Sequence, residues 1–66
     1  MRVLCYFWYE VEHAEPQIRT MHFDVMPLVG DIVYREEKRP VFGRHKWRVS
    51  DRAHGDRGFQ ITLVAA

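Results

Sequence analysis

Cysteine is almost absent from this chain of 66 residues, which contains Cys5 alone. One thiol cannot form an intrachain disulfide, whereas small secreted domains usually depend on several such bonds. Long hydrophobic runs are missing too, because the longest, residues 3–9, is far shorter than the roughly 20 residues of a membrane-spanning helix. Glutamate follows this run, where a signal peptide would carry small residues before its cleavage site. These absences predict a cytoplasmic protein.

Glycine and proline are scarce as well, with four and three residues respectively. Their scarcity argues against collagen-like repeats and low-complexity sequence, and no linker or internal repeat divides the chain. We therefore expect one domain over residues 1–66, which at this length buries only about 60% of the surface that its unfolded chain exposes. Aromatic residues make up 14% of the chain and should supply much of its stability, since each buries roughly 150 to 250 Å².

Apolar residues alternate with polar ones along most of the chain, which is the period of a β-strand. The first alternating segment covers residues 3–11, and a second begins at Ile18 after a break. The third is "DIVYREE", residues 31–37, with Ile32 and Val33 at its buried end. No segment has the period of a helix.

Two further strands follow, the fourth in "RHKWRVSDR" and the fifth from Phe59, joined by the turn signal "HGDRG". Five short strands need to curl in order to enclose a core, so we predict an all-β, five-stranded antiparallel, partly open barrel. The predicted core consists of Val3, Cys5, Phe7, Met21, Phe23, Val25, Ile32, Trp47, Val49, Phe59, Ile61 and Leu63.

Much of the C-terminal part, "MPLVGDIVYREEKRPVFGRHKWRVSDRAHG" followed by "FQITLVA", resembles the small SH3-like barrels. The residues that carry the resemblance are Pro27, Val29, Gly30, Asp31, Trp47 and Val49. It implies an SH3-like or OB-like barrel that binds nucleic acid, peptides or other proteins, and it does not choose among these ligands. The long aromatic first strand departs from the usual layout of that fold and leaves the strand order open.

Basic residues concentrate in the second half of the chain, although the net charge is only +1. By alternation, Arg44, Lys46, Arg48 and Arg52 share one face of the fourth strand, with Arg35, Lys38 and Arg39 near them from the preceding hairpin. Such a ridge is suited to binding phosphates. The same charges also suit a solvated strand that resists edge-to-edge aggregation, so both interpretations stay open.

Three aromatic residues could join this ridge, namely Tyr6, Trp8 and Tyr34. If exposed beside the ridge, they would stack on bases. An exposed cluster of Leu4, Tyr6 and Trp8 would instead mark a protein-binding patch, since Trp, Tyr and Arg dominate interface energetics. Alternatively, Tyr6 and Trp8 cover the open end of the barrel or a subunit interface.

Catalytic and metal-binding patterns are weak. The spacings of His13, His22, His45 and His54 match no compact zinc motif, so we expect neither a metal nor a cofactor. Cys5 occupies a core position of the first strand, where a thiol is normally inert. Adjacent carboxylates such as Glu36 and Glu37 point to opposite sides of a strand and cannot act as a pair.

The sequence thus predicts a non-enzymatic binding module without a small-molecule substrate. Near-neutral net charge favours a protein partner or self-association. A small accessory protein, such as a phage-type protein that docks on a larger assembly, is the expected context. The alternative is a nucleic-acid-binding module that uses residues 44–52 with neighbouring aromatics. The predicted binding residues are Tyr6, Trp8, Tyr34, Arg35, Arg44, Lys46, Arg48 and Arg52.

Overall fold

The computed structural model describes residues 1–9 and 15–66, and these residues form five β-strands and no helix. The strands are β1 (Arg2–Trp8), β2 (Gln17–His22), β3 (Ile32–Tyr34), β4 (Lys46–Gly55) and β5 (Gly58–Ala65). They build one sheet that curls into a half-barrel, which confirms the predicted all-β class and the five strands. The predicted continuation of the first strand to Val11 lies outside the described residues.

The order of the strands in the sheet is β2-β1-β5-β4-β3. Neighbouring strands are antiparallel except at the centre, where β1 and β5 run parallel. The prediction of a purely antiparallel sheet is therefore wrong. Alternation identifies strands and their faces but carries no information on which strands become neighbours. The parallel pair joins strands from the two ends of the chain, and such a long-range contact leaves no local pattern in the sequence.

The core fills the concave side of the sheet. Its buried members on the strands are Val3, Cys5, Phe7, Val33, Trp47, Val49, Ile61 and Leu63. Trp47 packs edge to face against Phe7, with ring centroids 5.0 Å apart, and its indole Nε1 donates a hydrogen bond of 3.2 Å to the Arg44 carbonyl. The predicted alternation of β1, β4 and β5 is confirmed at these positions, and Met21, Phe23 and Phe59 pack half-buried beside them.

Two predicted core residues lie on the surface instead. Val25 is 78% exposed, because β2 ends at His22 and the alternation ends with it. Ile32 is 36% exposed, because its neighbour Val33 takes the inward position of the short β3. The connections between strands supply Met26 and Val41 in their place, and both are buried in the core.

A β-bulge at Ser50 changes the faces of β4. Val49 lies opposite Leu63, but Asp51 already lies opposite Thr62, so β4 has one residue more than β5 over this stretch. Residues directly opposite each other share a face of the sheet. Arg48, opposite Val64, therefore lies on the convex side, whereas Arg52, opposite Ile61, lies on the core side. The prediction that Arg48 and Arg52 share one face is wrong.

A tight turn leads from β3 into β4. Phe42 and Gly43 both adopt positive φ, 51° and 71°, between two backbone hydrogen bonds that join Val41 and Arg44. These angles are those of a two-residue turn of the kind that glycine favours at its second position. The Phe42 ring stacks on Tyr9 at 5.8 Å, so the turn closes one end of the core.

The two tryptophans of the chain provide a matched test of this core. Trp47 is fully buried and Trp8 is on the convex side. We expect Trp47→Ala to lower the free energy of unfolding by about 3 to 5 kcal/mol, since it removes a large buried ring. Trp8→Ala should cost clearly less, about 1 to 2 kcal/mol, because Trp8 is 39% exposed and lies outside the core. Urea denaturation followed by circular dichroism measures both, and equal losses would contradict this assignment of the core.

Candidate functional site

The convex side of the sheet carries a row of side chains from four neighbouring strands. Trp8 lies opposite Val64, Val64 opposite Arg48, and Arg48 opposite Ile32. Because neighbouring strands are about 4.8 Å apart, the row extends over roughly 15 Å. We call this side of the sheet the outer face. Its central row places an indole, two aliphatic side chains and a guanidinium beside one another.

A second group of side chains adjoins the row. Lys46 lies opposite Tyr34 at one end of β4, and Tyr34 is 66% exposed at the edge of the sheet. Across β1, Tyr6 lies opposite Ile18, which is 48% exposed. Trp8 itself is 39% exposed. The outer face therefore presents both apolar and cationic groups to solvent.

Five of the eight predicted binding residues meet on this face. They are Tyr6, Trp8, Tyr34, Lys46 and Arg48. Tyr6 and Trp8 arrive there because the even-numbered residues of β1 point away from the core, whose odd-numbered positions hold Val3, Cys5 and Phe7.

The other three predicted residues lie elsewhere. Arg52 is exposed on the core side of β4, beyond the bulge. Arg44 precedes β4 and donates a hydrogen bond of 2.9 Å to the Tyr9 hydroxyl, with its guanidinium 4.7 Å from the centre of that ring. The predicted ridge of four cations on one face is consequently reduced to Lys46 and Arg48.

Arg35 turns inward at the open side of the half-barrel. Its guanidinium lies 5.7 Å from the centre of the buried Phe7 ring, and its Nε donates to the Arg39 carbonyl at 2.9 Å. The contact with an aromatic face gives Arg35 a structural role and separates it from the outer face.

Three apolar residues of the outer face were missed by the sequence analysis: Ile18, Ile32 and Val64. Val64 and Ile32 had a detectable signal, because each is adjacent to a buried residue of the same strand, Leu63 and Val33. Ile18 lies three residues before Met21 and therefore on the opposite side of β2. A single apolar residue on the solvent side of a strand carries little information. Several such residues on one side of a sheet indicate an interaction site.

The thiol of Cys5 lies fully buried in the core. Desolvation by burial raises the pKa of the Cys5 thiol from 9.0 to about 11, and the nearby positive charge of Arg35 only partly opposes this rise. At neutral pH the thiol is therefore protonated and shielded, which makes it a poor nucleophile.

Within residues 1–9 and 15–66, no three His, Cys, Asp or Glu side chains gather closely enough to hold a metal ion. His13 lies outside these residues. The same part of the chain contains no helix that could cross a membrane. Comparison of the chain with protein-family profiles, with curated proteins and with solved structures finds no match.

Burial of Cys5 predicts slow alkylation. At pH 8 we expect iodoacetamide to react with the folded chain at least about a hundredfold more slowly than with the chain unfolded in guanidinium, because each unit of pKa removes tenfold of the thiolate. Mass spectrometry of quenched samples gives both rates. Similar rates in the two states would show that the first strand does not bury its thiol.

Proposed function

We propose that this chain is a non-enzymatic binding module whose outer face engages another protein. The observation that supports this proposal best is the row formed by Trp8, Val64, Arg48 and Ile32, with Tyr34 beside it. Aromatic side chains and arginine are enriched at protein interfaces, where a few of them account for most of the binding energy. The partner is either a different protein or a second copy of the chain.

The size of the sheet is adequate for such an interface. A standard interface buries about 800 Å² on each partner. The described structure has an accessible surface of 4819 Å², so one partner would cover roughly one sixth of it. The outer face of the five-stranded sheet is the surface that we propose for this area.

We further propose that the fold is an SH3-like or OB-like partly open barrel. The turn that carries part of the resemblance supports this: Leu28 and Asp31 exchange hydrogen bonds through the Asp31 carboxylate and amide, and Gly30 adopts a φ of 96°. The parallel pairing of β1 with β5 departs from a wholly antiparallel barrel. We also propose that the chain is a cytoplasmic accessory protein, of the phage type or another. Its single cysteine supports this location, because Cys5 is a free, buried thiol and disulfides are rare in the cytosol.

Nucleic acid is the second candidate ligand. One pairing favours it, because Lys46 lies opposite the exposed Tyr34. Arg48 lies two strands from Trp8, with Val64 between them. Cations beside exposed aromatic rings suit a single strand, whose bases stack while its phosphates are neutralised. Among the described strand residues, the cations of this face are Lys46, Arg48 and Arg2, and Arg2 lies at the opposite end of β1 from Trp8. The electrostatic contribution beside the aromatic rings is therefore small, and a protein partner is the better proposal.

Salt dependence gives a quantitative expectation for this second candidate. If two cations neutralise two phosphates, the affinity for single-stranded DNA should fall with a slope of about −1.4 in a plot of log K against log salt concentration. Fluorescence anisotropy with a labelled oligothymidylate measures this slope. A slope several times steeper would show a larger cationic surface than the outer face provides.

Substitutions on the outer face test the leading proposal. To test for a different protein as partner, the immobilised chain is incubated with lysate of its native cell, with and without nuclease. To test for a second copy of the chain, its self-association is measured by analytical ultracentrifugation. We expect Trp8→Ala or Arg48→Ala to reduce capture of the partner, or the self-association constant, by at least tenfold, because both side chains belong to the central row.

The matched control is Arg52→Ala, which removes an exposed arginine from the same strand but from the other side of the sheet. It should leave binding within about twofold of the unchanged chain. Equal loss in the Arg48 and Arg52 variants, or loss of capture on nuclease treatment, would contradict a protein interface on the outer face.

A further inference from the structure

The half-barrel is open between its two edge strands, β2 and β3. A cleft of about 430 Å³ separates them, which we call the seam cleft. Its walls are formed by Arg19, Thr20 and His22 from β2, and by Tyr34, Arg35 and Arg39 from β3 and the segment after it. The cleft shares the edge strand β3 and its Tyr34 with the outer face, but neither Trp8 nor Arg48 lines it.

Both walls of the seam cleft present strand edges. The amide of Phe23 donates to the Met1 carbonyl, so by alternation Ile18, Thr20 and His22 direct their backbone groups away from β1. The Ile18 carbonyl already accepts a hydrogen bond of 2.9 Å from the Arg19 guanidinium. The other backbone groups of this edge are a template for a further strand.

The opposite wall has the same property. The amide of Arg35 donates to the His45 carbonyl at 2.7 Å, and the Asp31 carbonyl accepts from Val49 at 2.9 Å. Alternation then directs the backbone groups of Ile32 and Tyr34 away from β4 and toward the opening. Both walls thus direct backbone groups of an edge strand toward the opening.

The charge of the cleft is positive. Three arginines line it against the single carboxylate of Glu36. The hydrogen bonds made by Arg19 go to the Ile18 carbonyl and the Gln17 side-chain oxygen, and that of Arg35 goes to the Arg39 carbonyl. These acceptors are neutral. The hydrogen bonds therefore do not neutralise the positive charges of the Arg19 and Arg35 guanidinium groups.

The two sides of the cleft differ in chemistry. Arg19 lies opposite Cys5, and Arg35 lies over Phe7, so both arginines are on the concave side. Ile18 and the exposed Tyr34 are on the convex side. A strand placed between β2 and β3 would point alternate side chains to these two environments, one cationic and one apolar.

We propose that the seam cleft binds an extended acidic segment of a partner protein, which adds as a strand between β2 and β3. Its carboxylates would face Arg19 and Arg35, and its intervening apolar side chains would lie beside Ile18 and Tyr34. Main-chain hydrogen bonds supply affinity in this mode of recognition, and the alternating side chains supply specificity. Charge complementarity selects an acidic occupant over a basic one.

A peptide probe tests the proposal with the full chain. An eight-residue peptide of alternating Glu and Val, blocked at both ends, is titrated into the ¹⁵N-labelled chain, with a peptide of alternating Lys and Val as control. The acidic peptide should shift the amide resonances of Ile18, Thr20, Ile32 and Tyr34 and slow their hydrogen exchange, because these amides gain partners. The basic peptide should bind at least tenfold more weakly.

Charge reversal locates the site. Arg19→Glu should weaken binding of the acidic peptide at least tenfold, since it replaces an attraction by a repulsion. Arg57→Glu, in the exposed turn between β4 and β5, is the matched control and should leave the affinity within about twofold. Arg35 is avoided as a test because its contact with Phe7 belongs to the core.

Three outcomes would overturn the proposal. One is the absence of shifts at these amides with the acidic peptide at millimolar concentration. Another is equal binding of the basic peptide, which would remove the role of charge. The third is that oligothymidylate, and not the acidic peptide, shifts the resonances of Arg19 and Arg39, which would assign the cleft to nucleic acid. Trp8→Ala and Arg48→Ala should leave binding of the acidic peptide unchanged. The proposal for the outer face can therefore be rejected without rejecting the proposal for the seam cleft.

Discussion

The parallel pairing of β1 with β5 is the constraint on which the rest of the structure depends. It sets Val3, Cys5 and Phe7 directly beside Phe59, Ile61 and Leu63, so the apolar sides of two central strands form one continuous surface. Trp47 then packs across this surface from β4, edge-on to Phe7. Without the pair, β2-β1 would be an isolated two-stranded sheet, which is marginally stable at best, and β5-β4-β3 would lose the apolar surface of β1 against which Trp47 packs.

The same pairing also determines what the surface presents. Once the odd-numbered positions of β1 face inward, Tyr6 and Trp8 face outward, and the register with β5 sets Trp8 beside Val64. The bulge at Ser50 then divides the basic residues of β4, leaving Arg48 on the outer face and moving Arg52 to the other side. One extra residue thus changes a ridge of cations into a mixed aromatic and cationic patch, which is why we favour a protein partner. Because β2 and β3 stay at the two edges, the seam cleft between them is a consequence of the strand order as well.

Alternation in the sequence was sufficient to predict the strands and most of the core, because a residue's phase within a strand reports which side it occupies. It succeeded at Trp47, Val49, Ile61 and Leu63, which lie in regular segments. It failed where the strand stopped, as at Val25, and where a connection supplied the buried side chain, as at Met26 and Val41. The position of Arg52 could not be predicted either, since a bulge at a serine leaves no distinct mark in composition. Strand order is set by long-range packing that local patterns do not report.

Nuclear Overhauser contacts between β1 and β5 test the central claim most directly. In the parallel register, contacts between the two strands should advance in the same direction along both, from Val3 with Phe59 through Cys5 with Ile61 to Phe7 with Leu63. Contacts that advance along β1 while they retreat along β5 would mean an antiparallel pair. That result would contradict the register that sets Trp8 beside Val64, and with it the composition of the outer face. The absence of any contact between β1 and β5 would contradict the sheet order and the seam cleft as well.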